Sequence, residues 1–564
     1  MGLNFKCTYR MKNSLQLTFF FLLLAWNYSN AQSLDEIVED YQNYQDESSK
    51  IEKSAWPDIS DANLHKKQIQ YQTWVDQLKE IDKASLSMED QITLDLLLLI
   101  CKDVVDNIEL KSHYIPLNAE GGFIVGMMYA NRGLNLKNEK SWSNYKAKLA
   151  ATPAYINQQI QNMRLGLENG ITMPQLVVKN CLAVLDNMLS RKTLFLLNGL
   201  PSYEGIDTLA IQSSFKTLQG FLEEDYLPVA REKVGVSNNA NGKAFYEQRV
   251  RFFTTKEMTP QEVFDTGMSE VKRIRGEMEE IIKELAFEGS YADFLEFLRT
   301  DPQFYVSEGD ELLRHAAWLT TRAQGILPKY FTQLPTLPLT VNPVPAAIAP
   351  TYTTGRYSGG SFFGRKAGEY WVNTYNLPAR PLYVLPALTL HEGVPGHHLQ
   401  ISLAQELKDL PEFRKRQYLS AYGEGWGLYC EYLGKEAGMY QTLYEDFGRL
   451  TYEMWRACRL VVDPGMHYFD WTRQEALNFM AQNTALSMHE VTTEIDRYIG
   501  WPGQAVSYKI GEITIRELRK KAEESLGDKF DVRDFHDTIL ENGSVPLFTL
   551  EDIVDRWIET QLKE

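Results

Sequence analysis

The sequence predicts a mainly α protein with a small β-sheet beside the helix that carries its chemistry. Three observations lead there. Apolar residues recur at three- and four-residue spacing through most of the 564 residues, the period of helices with one buried face. Between Leu327 and Pro386 the texture changes to prolines, glycines and β-formers, which mark turns and short strands. Beyond Leu388 the helical spacing returns.

Residues 1–31 read as a secretory signal. Lys6, Arg10 and Lys12 form a basic start without acids, and Met11 is an alternative initiator. Phe19 to Trp26 is an unbroken apolar run, too short for a membrane anchor. Ser29-Asn30-Ala31 is a small-x-small cleavage site, which places the mature start at Gln32. The expected location is therefore periplasmic or secreted. The net charge is −17, and loss of the three leader cations makes the mature chain more acidic still. That argues against nucleic acid and anionic membranes as partners. Cys101, Cys181, Cys430 and Cys458 are scattered without a C-x-x-C pair, so no cysteine metal cluster is expected. Buried free thiols are the simpler reading than a Cys430–Cys458 bridge.

From Ser33 to about Tyr246 the pattern is helical, as in Tyr71-x-x-Trp74-Val75-x-x-Leu78. Ser237-Asn238-Asn239-Ala240-Asn241-Gly242 is a loop signal. It divides the mature chain into an N-terminal helical region, 32–245, and a catalytic region, 246–564. Thr259-Pro260-Gln261-Glu262 has a capping Thr, Pro at the first helical position and an acid in the first turn, and it opens a long amphipathic helix. Glu369 to Tyr375 reads as a strand by its aromatic and β-branched content. Asn373 in that strand is taken as a substrate-binding residue, because an extended peptide pairs well with a sheet edge. The glycine-rich stretch from Gly355 to Gly364 is expected to form a flap.

The chemistry concentrates in Leu388-Thr389-Leu390-His391-Glu392-Gly393-Val394-Pro395-Gly396-His397-His398. Catalytic zinc takes imidazole and carboxylate ligands and keeps one position open for water. The usual arrangement is H-E-x-x-H on one helix, with the Glu as general base. Here Pro395 stands where the second histidine belongs. Proline has no N–H for the carbonyl four residues back, so the helix is expected to bulge at Val394-Pro395-Gly396. If two residues loop out, His397 becomes the second ligand; if three do, His398. His397 needs the smaller distortion. Glu424, set among Gly423, Gly425 and Gly427 in Ala421-Tyr422-Gly423-Glu424-Gly425-Trp426-Gly427, is the third candidate, with Glu431 as runner-up. Small residues there let two helices approach closely enough to share an ion.

HEGVPGHHLQ followed by EGWGLYCEYLG, with WRACRLVVD from Trp455 and PGQAVSYKIG from Pro502, resembles the bacterial domain-of-unknown-function 885 family, grouped with zincin-like metallopeptidases. The resemblance covers most of the mature chain. It implies a helical gluzincin, more distantly similar to thimet oligopeptidase and carboxypeptidase Taq. On this resemblance His391, His397 and Glu424 bind Zn2+, Glu392 is the base, and a deep cleft between the two regions admits short peptides. One departure is that the Asp expected four residues after the ligand Glu is Leu428 here. A peptidase also needs oxyanion donors, for which Tyr508 and His467 are the candidates, and cations for a substrate carboxylate, for which Arg497 and Lys509 are the candidates. The expected activity is zinc-dependent hydrolysis of short peptides. The alternatives are hydrolysis of cell-wall-type amides, or peptide binding without catalysis, against which the intact Glu392 argues.

Overall fold

In a computed structural model the chain is described over residues 32–563, apart from 347, 362, 363 and 409. The leader at 1–31 lies outside the described residues. Helices dominate. The first three are α1 (Leu34–Glu52), α2 (Asp61–Lys79) and α3 (Met88–Glu109). Each starts on a serine whose side chain accepts a backbone N–H of the first turn: Ser33, Ser60 and Ser87. Caps of this kind satisfy donors that the helix itself cannot. Four further helices between residues 139 and 220 precede α4 (Gly242–Thr254) and α5 (Pro260–Glu284). The start of α5 is the expected one, with a complete capping box between Thr259 and Glu262 and Pro260 at the first position. Then α6 (Gly309–Tyr330) leads to the sheet.

The sheet consists of β1 (Leu339–Pro343), β2 (Gly355–Ser358) and β3 (Gly368–Val372), in the order β1-β3-β2. β1 is parallel to β3 and β2 antiparallel to it, with Arg356 opposite Trp371 and Tyr357 opposite Tyr370. In β3 burial alternates: Gly368, Tyr370 and Val372 point inward, as the two-residue period of a half-buried strand requires. The expected flap at Gly355–Gly364 is corrected in its first half. Arg356 and Tyr357 suit a pleated edge, so residues 355–358 pair into the sheet.

The helices of the C-terminal part follow: α7 (Leu385–Glu392), α8 (His397–Glu406), α9 (Ser420–Glu436), α10 (Leu443–His467), α11 (Met488–Gly500), α12 (Ser507–Leu526) and, last, α13 (Leu547–Lys563). α5 lies along α10, where a Cβ on Gly267 would meet Leu460 at 2.7 Å. α9 lies along α12 in the same way, and a Cβ on Gly425 would meet the backbone of Gly511 at 2.6 Å. Two apolar cores hold these layers. One joins Met163, Val178 and Phe215 to Phe447, Cys458 and Tyr498. The other joins Ile37, Trp74 and Leu97 to Trp426, Ile515 and Val554. Each core draws residues from both sides of position 245, so burial of the early helices also fixes the helices around the site. Cys101, Cys181, Cys430 and Cys458 are free and buried. Among the described residues no helix is long and apolar enough to cross a membrane.

Candidate metal centre

The expected bulge is a full break. α7 ends at Glu392, residues 393–396 form a tight turn, and α8 begins at His397. Gly393 closes the first helix through its N–H to Thr389 O, and His398 N–H returns to Gly393 O at 3.0 Å. The physical cause is the one read from the sequence: Pro395 cannot continue the ladder. The consequence is larger, because the second histidine starts a new helix instead of resuming the old one. Trp426, fully buried on α9, pins the turn through Nε1–H to Pro395 O at 2.9 Å.

This break brings His397, and not His398, to the His391–Glu424 cluster. His397 turns toward His391, with ring centroids 4.7 Å apart and planes at 90°. Glu424 Oε2 lies 3.3 Å from His391 Nε2 and 3.4 Å from His397 Nε2. One ligand atom from each of these three residues falls within 4.8 Å of the others. His398 points away. Its Nδ1 faces Tyr357 OH at 3.2 Å and its Nε2 faces Leu337 O at 3.0 Å, so it ties α8 to the sheet. Burial pushes its pKa down to about 4, which keeps it neutral in that role.

The three glycines around Glu424 do three separate jobs. A Cβ on Gly427 would strike the His391 ring at 2.6 Å, one on Gly425 would strike α12, and one on Gly423 would overlap the Tyr418 ring. Close helix approach was the expectation. The structure adds room for an imidazole and for a tyrosine. Tyr418 was not singled out in the sequence, although Gly423 is its trace there. Its hydroxyl donates to Glu424 Oε1 at 2.9 Å and fixes that carboxylate.

Glu431, the runner-up, lies behind His391 and outside the three-residue cluster. Its Oε1 accepts from His391 Nδ1 at 2.8 Å, which turns Nε2 toward Glu424. A carboxylate behind a ligating imidazole sets its tautomer and raises its basicity. Leu428, four residues after Glu424, is a buried apolar residue; Glu431, seven residues after Glu424, returns to the same helix face. Arg456 on α10 stands behind Glu431 at 3.7 Å. His397 lacks such support, and its buried Nδ1 has no hydrogen-bond partner among the described residues.

The electrostatics are those of a cation site. Burial alone would lower the His391 pKa, yet its hydrogen bonds to the Glu424 and Glu431 carboxylates and the charge of Glu392 raise it to about 9. Burial likewise works against the Glu424 carboxylate, but the two histidines hold its pKa well below the usual range. Donor atoms on a tetrahedral ion with bonds of about 2.0–2.1 Å stand about 3.3–3.4 Å apart. The two Glu424–histidine distances match that spacing, so the residues fit an ion of zinc's kind. Glu392, next to the first histidine, accepts Tyr357 N–H of β2 at 2.7 Å. The free edge of the sheet thus faces the candidate base.

Of the other expected residues, Tyr508 alone stands beside the centre without a fixed partner. It is half-buried, and no hydrogen bond to its hydroxyl is found among the described residues. Burial and Glu424 raise its pKa, against the pull of Arg459, Arg497 and Arg456, so it remains a protonated donor. Three expectations are corrected. His467 is fully buried, accepts Val236 N–H on Nδ1 at 3.1 Å and meets Tyr498 O through Nε2 at 3.0 Å. It is a structural clamp, and burial lowers its pKa to about 3. Lys509 is fully buried, with Glu512, Glu453 and Glu270 at 2.6, 2.8 and 3.0 Å; no donor is left for a substrate. Asn373 is fully buried, donating to Ala349 O, Tyr352 O and Thr353 O, and accepting Tyr375 N–H. It organises the chain entering β2, because a side-chain amide is the group that can gather several loop carbonyls at once. Arg497 is bound to Glu494 and to Gln504 Oε1. It acts on Tyr508 through its field, and its donors are engaged within the protein.

A family of bacterial proteins of unknown function, DUF885, matches residues 42–554, and the chain belongs to that family. Two solved structures share the fold. The "putative lipoprotein" from Colwellia psychrerythraea is 25% identical, with a TM-score of 0.78 over 90% of this chain and 93% of that one. A "putative lipoprotein of unknown function" from Shewanella oneidensis is 17% identical, with a TM-score of 0.73 over 93% of this chain and 100% of that one. No curated protein matches.

Proposed function

We propose that this protein is a zinc-dependent peptidase that cuts short peptides outside the cytoplasm. The observation that carries the reading is the convergence of two imidazole nitrogens and one carboxylate oxygen, at ligand spacing, beside a glutamate on the next residue. His391, His397 and Glu424 would hold the ion. Bound there, zinc supplies Lewis acidity, which makes water nucleophilic at neutral pH and polarises a scissile carbonyl. Glu392 takes the proton from the attacking water and passes it to the leaving amine. Tyr508 donates to the carbonyl oxygen as negative charge develops on it.

The outer edge of β2 supports a peptide as substrate. An extended chain laid along it pairs through its backbone, and its first claim is on Tyr357 N–H, the donor that Glu392 now holds. Substrate entry therefore frees the base. The expected leader, together with the lipoprotein description of both structural neighbours, supports a place outside the cytoplasm.

The test is metal content together with cleavage of a mixed peptide library read by mass spectrometry, on the wild type and on Glu392→Gln. The wild type should carry about one zinc, as a single catalytic site implies, and cut. The variant should keep its metal and lose about 10²–10⁴-fold in rate, the usual contribution of a general base. If neither protein holds metal, the centre is misread. If both hold metal and neither cuts peptides, the substrate class is wrong, and muropeptides are the next panel.

A further inference from the structure

The peptidase reading leaves open which part of a peptide the site recognises. The arrangement of arginines bears on that. Arg356 lies on β2 and its side chain is exposed, opposite in direction to the buried Tyr357. The N–H of that same Tyr357 touches Glu392 at 2.7 Å. Arg356 therefore projects from the substrate-facing edge one residue away from the candidate base. Across the site, Arg459 lies over the Tyr508 ring, 4.3 Å from its centre, and it is buried with one nitrogen, Nη1, unpartnered among the described residues. Arg456 is also buried, and its Nε is unpartnered. In a chain of net charge −17, four arginines, counting Arg497, surround one tyrosine next to the metal centre. Glu494 pairs with Arg459 and Arg497, and Glu431 stands by Arg456. Arg356 has no carboxylate within ion-pair distance among the described residues; its guanidinium is held by the neighbouring Tyr352 hydroxyl, and the charge of Glu392 reaches it more weakly.

Resting on the peptidase reading, we infer that the site takes peptides by their free C-terminal carboxylate, with Arg356 as the pairing cation, and removes one or two residues from that end. The reach of the side chain sets the number. An arginine head extends roughly 7 Å from its backbone, and an extended peptide advances about 3.3–3.6 Å per residue. A carboxylate held by Arg356 is then one or two residues from a bond positioned at Glu392. The planar guanidinium suits it for bidentate pairing with a carboxylate. Arg459 and Arg497 are positioning residues here: they hold Tyr508 and make the wall electropositive.

The experiment compares a peptide with a free C-terminal carboxylate against the same peptide as the C-terminal amide, on zinc-loaded wild type, Arg356→Ala and Arg356→Lys. Cleavage products are read by mass spectrometry. Binding of both peptides to zinc-loaded Glu392→Gln is read by calorimetry. The wild type should favour the acid by about ten- to a hundredfold in kcat/KM, the effect of one charge-assisted hydrogen-bonded pair, and should release a single residue or a dipeptide. Arg356→Ala should bring the acid-to-amide ratio close to one, mainly through KM, and Arg356→Lys should restore part of the preference. Because Arg356 is exposed, an unchanged melting temperature should accompany these changes. Equal cleavage of acid and amide, internal cuts, or a preference that survives Arg356→Ala would each overturn the inference and leave the peptidase reading standing. If no peptide is cut, the peptidase reading fails instead, and the calorimetry decides this inference: tighter binding of the acid supports carboxylate recognition, equal binding refutes it.

Discussion

Among the described residues, two largely buried clusters beyond position 245 each bring three potential metal ligands within 4.8 Å of one another: His391, His397 and Glu424, and then Glu270, Glu453 and Glu512. By proximity alone they are alike. They differ in what lies at the centre. The second cluster is filled by the protein's own cations. Lys509 bridges all three carboxylates, Arg516 reaches Glu453 and Glu512, Arg449 reaches Glu453, and Arg273 pairs with Glu270 and Glu453. It clamps α5, α10 and α12 together. In the first cluster Glu424 bonds, among the described residues, to two imidazoles and the Tyr418 hydroxyl, with no lysine or arginine in ion-pair contact. A set of ligands becomes a candidate metal site when the protein has left its cation out. A set that already contains one is structural.

The sharpest way to break the comparison is the same change in each cluster. Glu453→Gln keeps the shape but leaves Lys509 and three arginines short of one buried negative charge. We expect a loss of about 3–5 kcal/mol in unfolding free energy, the range for breaking a buried ionic pair, measured by urea denaturation, with zinc content per folded molecule unchanged. Glu424→Gln should do the reverse: the fold stays and zinc is lost. If Glu453→Gln costs stability no more than a surface change, the second cluster is not the clamp described.

A milder change sharpens the role of the orienting carboxylate. Glu431→Gln should weaken zinc binding by about 10–100-fold, about 1.4–2.8 kcal/mol, in competition with a chelator. The loss should exceed that from Arg456→Gln, which acts one step further out. Next in size is His467→Ala, which leaves the buried Val236 N–H without its partner, while Tyr498 C=O keeps Trp501 N–H, and should cost about 1–3 kcal/mol. Its kcat/KM per folded molecule should stay at the wild-type level, and a selective fall in kcat would restore His467 to the site.

The smallest expected effect is a pH dependence of the structural cluster. Burial alone would raise the pKa of Glu270, but Arg273 and Lys509 overcome this and bring it from 4.5 to about 2. A carboxylate whose folded pKa is depressed contributes stability that is fully present above its unfolded pKa. For Glu270 that contribution is complete above about pH 4.5 and lost as pH falls toward 2. Glu270→Gln should therefore flatten the acid limb of the stability curve in that window and leave its shape above pH 5 unchanged. A wild-type acid limb in the variant would remove Glu270 from the network's energetics.

What the sequence determined by itself was local or periodic. The α5 start at Thr259-Pro260 needed only its cap and its proline. The helical spacing and the proline-rich interval between 327 and 386 were enough for the fold class. His391, Glu392 and Glu424 were legible because a His-Glu pair and a carboxylate among glycines are poor choices for any other purpose. Tertiary structure decided everything that depends on what packs against a residue. His397 rather than His398 follows from a turn that Trp426 pins from another helix. Glu431 became the orienting group because residues four and seven apart share one helix face, and a sequence does not say which of them meets an imidazole. His467, Lys509 and Asn373 are of the residue types a peptidase site needs, and their chemistry is spent on a backbone clamp, an ionic core and a loop. A side chain's type sets which bonds it can make; only the packed fold sets which partner is within reach.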